Sequence, residues 1–168
     1  MDNWKPWLEP SEYDLIMQDR ALSNLPEMES AKQLVEIIQH EYLPGMRVLD
    51  VGCNVGHYLR SLRNYNQELR YVGIDFVERY ISKAKEIFQE DKFASFEKKD
   101  VFEPIFPSQK FDIVFSCNVL LHLPEFKTPL KNILDSTKKV CIIRTLLGEK
   151  TTMVKSVENN ELMRMEIL

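Results

Sequence analysis

Glycine is scarce in this chain of 168 residues: five occur, with three cysteines, three histidines and two tryptophans. His40, His57 and His122 stand far apart, with no HExxH or CxxC spacing, so a sequence-encoded metal site has no support. Cys53, Cys117 and Cys141 are odd in number, and each lies in or beside an apolar stretch, which suits buried reduced thiols better than disulfides. No window approaches the roughly 18 apolar residues of a membrane helix, and Met1 to Pro10 lacks the apolar core of a signal segment. The expectation is a cytoplasmic chain with no membrane partner. Positive charge is also short: 22 Lys and Arg against 26 Asp and Glu give a net charge of −4. No whole-molecule field therefore draws the chain onto nucleic acid or anionic lipid. Repeats and low-complexity tracts are absent, and the length is that of a single domain.

What is present is a recurring unit of β-rich run, turn and helical pattern. The runs are MRVLDV (46–51), RYVGID (70–75), FASFEK (93–98), FDIVFS (111–116) and KVCIIRTLL (139–147). Between the first three, Tyr58, Leu59, Leu62 and Tyr65, and then Val77, Tyr80, Ile81, Ala84, Ile87 and Phe88, repeat at helical spacing. Strands that alternate with helices predict a parallel sheet covered on both faces, an α/β class. Upstream, Ala31, Leu34, Val35, Ile37, Ile38 and Tyr42 form an apolar stripe that Pro44-Gly45 stops, which predicts a covering helix. Before it, residues 11–22 predict another helix with Ser11 as its cap, preceded by an arm carrying Trp4 and Trp7. The chain thus divides into an N-terminal helical part, 1–45, and a core, 46–168.

VLDVGCNVGHYL is the most informative stretch. A buried strand carrying Asp50 runs into Gly52, Asn54 and Gly56 just before a helix, and such a turn brings backbone N–H groups and a helix N-terminus close to a ligand. Asn54 stands where a glycine is expected, and Asn tolerates the left-handed region. The plainer reading is that both glycines only permit a tight turn. A dinucleotide fingerprint would need GxGxxG, and a P-loop would need Lys followed by Ser or Thr; neither is present.

Three more segments end at the same rim, because ligands of open α/β sheets lie outside the carboxyl ends of the strands. Asp75 ends the second run, where it either accepts ribose hydroxyls or caps the next helix. Asp100 follows the third run, and its carboxylate with the Val101 amide is suited to an adenine edge. FDIVFSCNVLLHLP delivers Cys117, Asn118 and His122. His122 is the only side chain on this rim that titrates near neutral pH. It serves either as a general base or as a packed residue between Leu121 and Leu123.

VLDVGCNVG, YVGID, KKDVF and FDIVFSCNVLLHLP, in this order, resemble the class I S-adenosylmethionine-dependent methyltransferases, over about Arg47 to Leu147. The resemblance implies a doubly wound, Rossmann-like sheet of order 3-2-1-4-5 and S-adenosyl-L-methionine as cofactor. It implies that Gly52, Cys53, Asn54 and Gly56 wrap the methionine part and that Asp50 orders that loop. It further implies that Asp75 holds the ribose, that Phe76 flanks the adenine, that Asp100 and Val101 meet its amine edge, and that Cys117 and Asn118 lie near the sulfonium. Tyr13 and Arg20 would fold over the cofactor, with Arg20 reaching its carboxylate; a solvated Arg and a packed Tyr is the competing picture. Trp4 and Trp7 would line a substrate face or act as a clasp.

The family's sheet ends in an antiparallel hairpin, and the 21 residues after Leu147 predict it to be shortened or missing, with Thr151 to Val157 as a single extra strand. An edge left bare there would invite a homodimer through the fifth strand. No Asp/Asn-Pro-Pro-Tyr run follows the fourth strand. CNVLLHLP is instead similar to the small-molecule branch, which methylates hydroxyl, carbon or amine acceptors. The expected function is methyl transfer to a small molecule by in-line displacement. The alternative is a non-catalytic module of the same fold that binds the cofactor or a protein partner.

Overall fold

The computed structural model describes residues 5–146, 152–158 and 161–166, with side chains described from Trp7 to Leu146. Trp4, Leu147 and Thr151 fall outside them. A short 3-10 turn, Lys5–Leu8, leads into α1 (Glu12–Ala21) and α2 (Glu29–Glu41). Then follow β1 (Arg47–Val51), α3 (His57–Tyr65), β2 (Arg70–Asp75), α4 (Glu78–Ile87), β3 (Ala94–Lys98), β4 (Phe111–Cys117), α5 (Lys127–Asp135) and β5 (Thr137–Arg144). All five expected strands form, and every pairing among them is parallel, in the order β3-β2-β1-β4-β5. β5 starts two residues earlier than its apolar run, because Thr137 pairs with Phe111 ahead of a bulge.

Alternation along the strands sorts side chains between two faces. Val48, Tyr71, Ile113 and Phe115 face α2, α3 and α4, with Ala31, Leu34, Ile38, Leu59, Leu62 and Ile81 in the same cluster. Leu49, Val72, Ile74 and Val114 face the other way, onto Ile133 of α5 and Ile105 of the segment before β4. Both faces are buried, as the continuous apolar strands require. Met17 and Ala21 of α1 join the first cluster, so the N-terminal helices share the core of the sheet. Arg63, buried in α3, donates to both oxygens of Asp91, at 2.5 and 3.1 Å, and to the Leu69 carbonyl, which ties α3 to the turn before β3. Breaking such a buried pair costs about 3–5 kcal/mol.

Two expectations change. Ser11 occupies the cap position of α1, yet its hydroxyl donates to Asp14 Oδ1 at 3.3 Å instead of accepting a backbone N–H. The C-terminal hairpin is not missing: β6 (Thr152–Glu158) and β7 (Glu161–Glu166) pair antiparallel as a two-stranded sheet of their own. The run between Arg144 and Thr152 is too short for a usual helix, which leaves residues for a second strand. Among the described residues, no helix is long and apolar enough to cross a membrane.

Candidate active site at the strand ends

The exits of β1, β2, β3 and β4 open onto one cavity of about 480 Å³, within the size range of small-ligand sites. The loop after β1 is held by backbone groups. Gly52 N–H and Cys53 N–H both donate to the Ile74 carbonyl, at 2.8 and 2.9 Å, and Asn54 N–H donates to Asp75 Oδ2 at 2.9 Å. Asn54 does take the left-handed conformation, with φ 51°, and its Oδ1 accepts the Val55 N–H. Gly52 and Gly56 both have φ 83°. A Cβ at Gly52 would sit 2.2 Å from Val119 Cγ2, and one at Gly56 would sit 2.7 Å from the Phe88 ring. Glycine at 52 therefore lets the loop after β4 close onto the loop after β1, beyond permitting a turn.

Asp75 links β2 to this loop. Its Oδ1 accepts the Val77 N–H at 3.0 Å while its Oδ2 accepts that of Asn54, so it braces two turns instead of capping one helix. Burial raises its pKa despite the amides that point at it. Phe76 and Val77 border the cavity beside it. After β3, Asp100 Oδ1 accepts the Phe102 N–H at 2.9 Å, and the Val101 carbonyl accepts from Asn132 Nδ2 on α5, which fixes Val101 at the cavity wall.

Across the sheet, Asn118 is left-handed (φ 62°), and its Oδ1 accepts from Arg144 at 2.6 Å. Cys117 lies beside it with its thiol pushed up to about 12 by burial and by the Asp50 carboxyl. A 3-10 turn, Leu120–His122, carries His122 to the cavity, where its ring meets the Trp7 indole edge-on with centroids 4.9 Å apart. Trp7 also meets Tyr13, at 5.3 Å. The His122 ring thus packs on the arm rather than between its two leucine neighbours, and burial lowers its pKa, so the neutral imidazole prevails at pH 7.

A clasp holds the arm in place. Arg79 of α4 donates from Nε to Asp14 Oδ2 (3.0 Å) and from its other nitrogens to the Leu8 and Glu9 carbonyls (2.7 and 2.8 Å). Tyr80 donates to Asp14 Oδ1 at 2.7 Å. Burial alone would raise the Asp14 carboxyl; the hydrogen bonds from Tyr80 and Arg79, with the Arg79 charge, outweigh it and hold the pKa below its ordinary value. Among the described residues, two buried side-chain polar atoms lack a hydrogen-bond partner: Arg20 Nε on α1 and His57 Nδ1 at the start of α3. They are coupled, because burial first and the Arg20 charge second bring the His57 pKa down to about 4.

Gly52, Asn54, Asp75, Phe76, Asp100, Val101, Cys117, Asn118, Tyr13 and His122 all border the one cavity. Four expected residues do not. Asp50 is 1% exposed on β1; it accepts the Tyr71 hydroxyl at 2.6 Å rather than ordering the loop, and burial pushes its pKa up to about 8. Loop ordering falls to Asp75 and the Ile74 carbonyl instead. Cys53 turns back onto the sheet, 2.9 Å from where a Gly73 Cβ would be, and Gly56 is packed under Phe88 and Phe96. Arg20 does not border the cavity, although its charge acts on His57. Sequence reasoning missed His57, Lys99, Tyr80 and Val119, all of which border the cavity. Only His57 carried a signal, its place directly after Gly56.

Comparison with known proteins bears on the family and the fold. The profile of a family described as "Methyltransferase domain" matches residues 43–167. Cycloartenol-C-24-methyltransferase of Arabidopsis thaliana is 33% identical over 85 residues, which is 49% of this chain and 25% of that protein. The chain thus spans about a quarter of that relative's length. In the complex between the Haloferax volcanii Trm112 methyltransferase activator and the putative methyltransferase, a chain aligns with TM-score 0.59 at 23% identity, covering 82% of this chain and 55% of that one. Coclaurine N-methyltransferase, bound to N-methylheliamine and SAH, aligns with TM-score 0.56 at 14% identity, over 66% of this chain and 34% of that one. The family match covers well over half of the sequence, and the chain belongs to the methyltransferase domain family.

Proposed function

We propose that this chain binds S-adenosyl-L-methionine across the ends of β1 to β4 and transfers its methyl group to a small-molecule acceptor. The observation that carries the reading is the convergence of the loop after β1, Asp75, Asp100 and Cys117–Asn118 on one cavity, with the unpartnered buried His57 on its wall. The residues fit the cofactor. Asp75 would take the ribose hydroxyls, Phe76 and Val101 would flank the adenine and Asp100 would meet its amine. Gly52 and Asn54 would lie along the methionine part, and His57, with its unpartnered Nδ1, would answer its carboxylate. When bound, the cofactor would supply an electrophilic methyl group to the acceptor's electron pair.

The chain's own residues align and desolvate the acceptor, which is the main source of rate for such a displacement. Cys117 and Asn118 set the floor beside the reacting groups. His122, neutral at pH 7, takes the proton that a hydroxyl or acidic carbon gives up. The free thiols support a reducing, cytoplasmic setting. The unpaired β5 edge supports a homodimer, and sedimentation as a monomer at high concentration would rule that out.

Calorimetric titration with S-adenosylmethionine and S-adenosylhomocysteine, with NAD as control, tests the reading. Micromolar binding of the first two and none of NAD is expected. Absence of all binding would sink the reading and favour a partner-binding module.

A further inference from the structure

The cavity is chemically divided by the sheet order. Asp75, Lys99 and Asp100 border it from the exits of β2 and β3, on one side of β1. From the β4 side the wall is Tyr58, Cys117, Val119, His122 and Leu123, joined by Trp7 of the arm. Tyr58 belongs to this side because its ring meets Phe115 of β4 edge-on at 5.9 Å. Its hydroxyl shares a hydrogen bond with Ser30 Oγ at 3.0 Å.

Every titratable group in that half is driven toward its uncharged form. Burial raises the Tyr58 hydroxyl and takes the Cys117 thiol to about 12, while it lowers the His122 imidazole. Tyr13, in contact with Trp7, is raised by burial against the pull of Arg20. The nearby cations are set back: Arg144 is engaged by Asn118, and neither it nor Arg20 borders the cavity. No described carboxylate, ammonium or guanidinium of this half is therefore placed to neutralise a charged acceptor. Moving an unpaired ionic group into such surroundings is strongly unfavourable, whereas an apolar ring gains by burial against aromatic edges.

We propose that the β4 half of the crevice receives an uncharged, ring-bearing acceptor with a hydroxyl group, and excludes acceptors that carry phosphate, carboxylate or ammonium. This deepens the methyltransferase reading and rests on it. Trp7 and Leu123 bracket the ring, and His122 meets its hydroxyl from that wall.

The experiment uses the full chain and two probes that share one ring, neutral 2-naphthol and anionic 2-naphthyl phosphate. Calorimetry first measures S-adenosylhomocysteine binding; saturation-transfer NMR then follows each probe on the loaded protein. The expected result is a clear 2-naphthol signal, no 2-naphthyl phosphate signal, and at least about tenfold weaker 2-naphthol binding in Trp7→Ala. Leu123→Lys, on a half-exposed loop, is the second variant, and it is expected to weaken 2-naphthol and admit the phosphate. Equal binding of both probes to the wild type, or 2-naphthol binding indifferent to both substitutions, overturns the proposal. S-adenosylhomocysteine binding without any 2-naphthol signal overturns it alone. Failure of S-adenosylhomocysteine to bind overturns the underlying cofactor reading, and this proposal with it.

Discussion

The two halves of the crevice are built by different physics. On the β1-β2-β3 side, rigidity comes from backbone groups: amides of residues 52, 53, 54 and 77 converge on the Ile74 carbonyl and the Asp75 carboxylate. On the β4 side, position comes from side chains of distant segments, Trp7 against His122 and Asp14 against Arg79, which are 65 residues apart. A site of the first kind is preformed by short-range hydrogen bonds. One of the second kind depends on the arm being clasped in place, so substitutions should separate the halves.

The largest effect is expected at His122. On the proposed role of His122 as the base, His122→Gln should lower kcat about 10²- to 10⁴-fold while S-adenosylhomocysteine affinity stays the same. In the wild type, burial lowers the His122 pKa, so kcat should rise with pH through a value below that of an ordinary histidine and be level by pH 7. A pH–rate profile of the variant that keeps this limb would remove His122 from the role.

Gly52→Val attacks the other half. With φ 83° and a Cβ position 2.2 Å from Val119, the substitution must displace the loop, and calorimetry should read a loss of about 100-fold or more in S-adenosylhomocysteine affinity. Wild-type affinity would sink the placement of the cofactor loop.

Arg79→Met should open the arm. Asp14 would lose its ionic partner, and a stability loss of about 1–3 kcal/mol by denaturant titration is expected, with faster proteolysis ahead of α2. The sign of the pH dependence follows from the lowered Asp14 pKa: the clasp's contribution is present above the ordinary carboxylate value and is lost as pH falls through the folded one. Cleavage of the arm at the wild-type rate would show that the clasp is idle.

Asp50 serves neither half directly. Its pKa, raised to about 8 by burial, means that the folded state holds a proton the unfolded state gives up near pH 4. Its contribution is therefore complete below pH 4 and lost as pH rises toward 8. Asp50→Asn should flatten that decline, and parallel stability profiles from pH 5 to 8 would contradict the assignment.

The legibility of the molecule follows the same division. Asp75, Asp100 and the Gly52–Gly56 turn were readable because their roles are local: each sits at the end of a strand, and its partners are a few residues away or on the adjacent strand. Asp50 shows the limit, since an acid beside a glycine turn reads as a loop residue until Tyr71, two residues before its pairing partner Gly73 on β2, is seen to donate its hydroxyl to it. His57 and Lys99 were overlooked because a single polar residue at an element's edge looks solvated until other segments close around it. The hairpin was misjudged because room was kept for a normal connecting helix, whereas β6 begins at Thr152, soon after β5 ends at Arg144.

By itself the sequence determined the five strands, their parallel pairing and the carboxylates at their ends, since apolar periodicity, glycine placement and strand-end residues are local properties of the chain; the order of the strands was implied by the family resemblance. Tertiary structure alone decided the neutral half. Which side chains face Cys117 and His122, and hence that burial holds their charges off, depends on Trp7 and Tyr13 arriving from the far end of the chain and on Arg79 holding them there. Electrostatics at a site depends on everything packed around it, and no single segment contains that information.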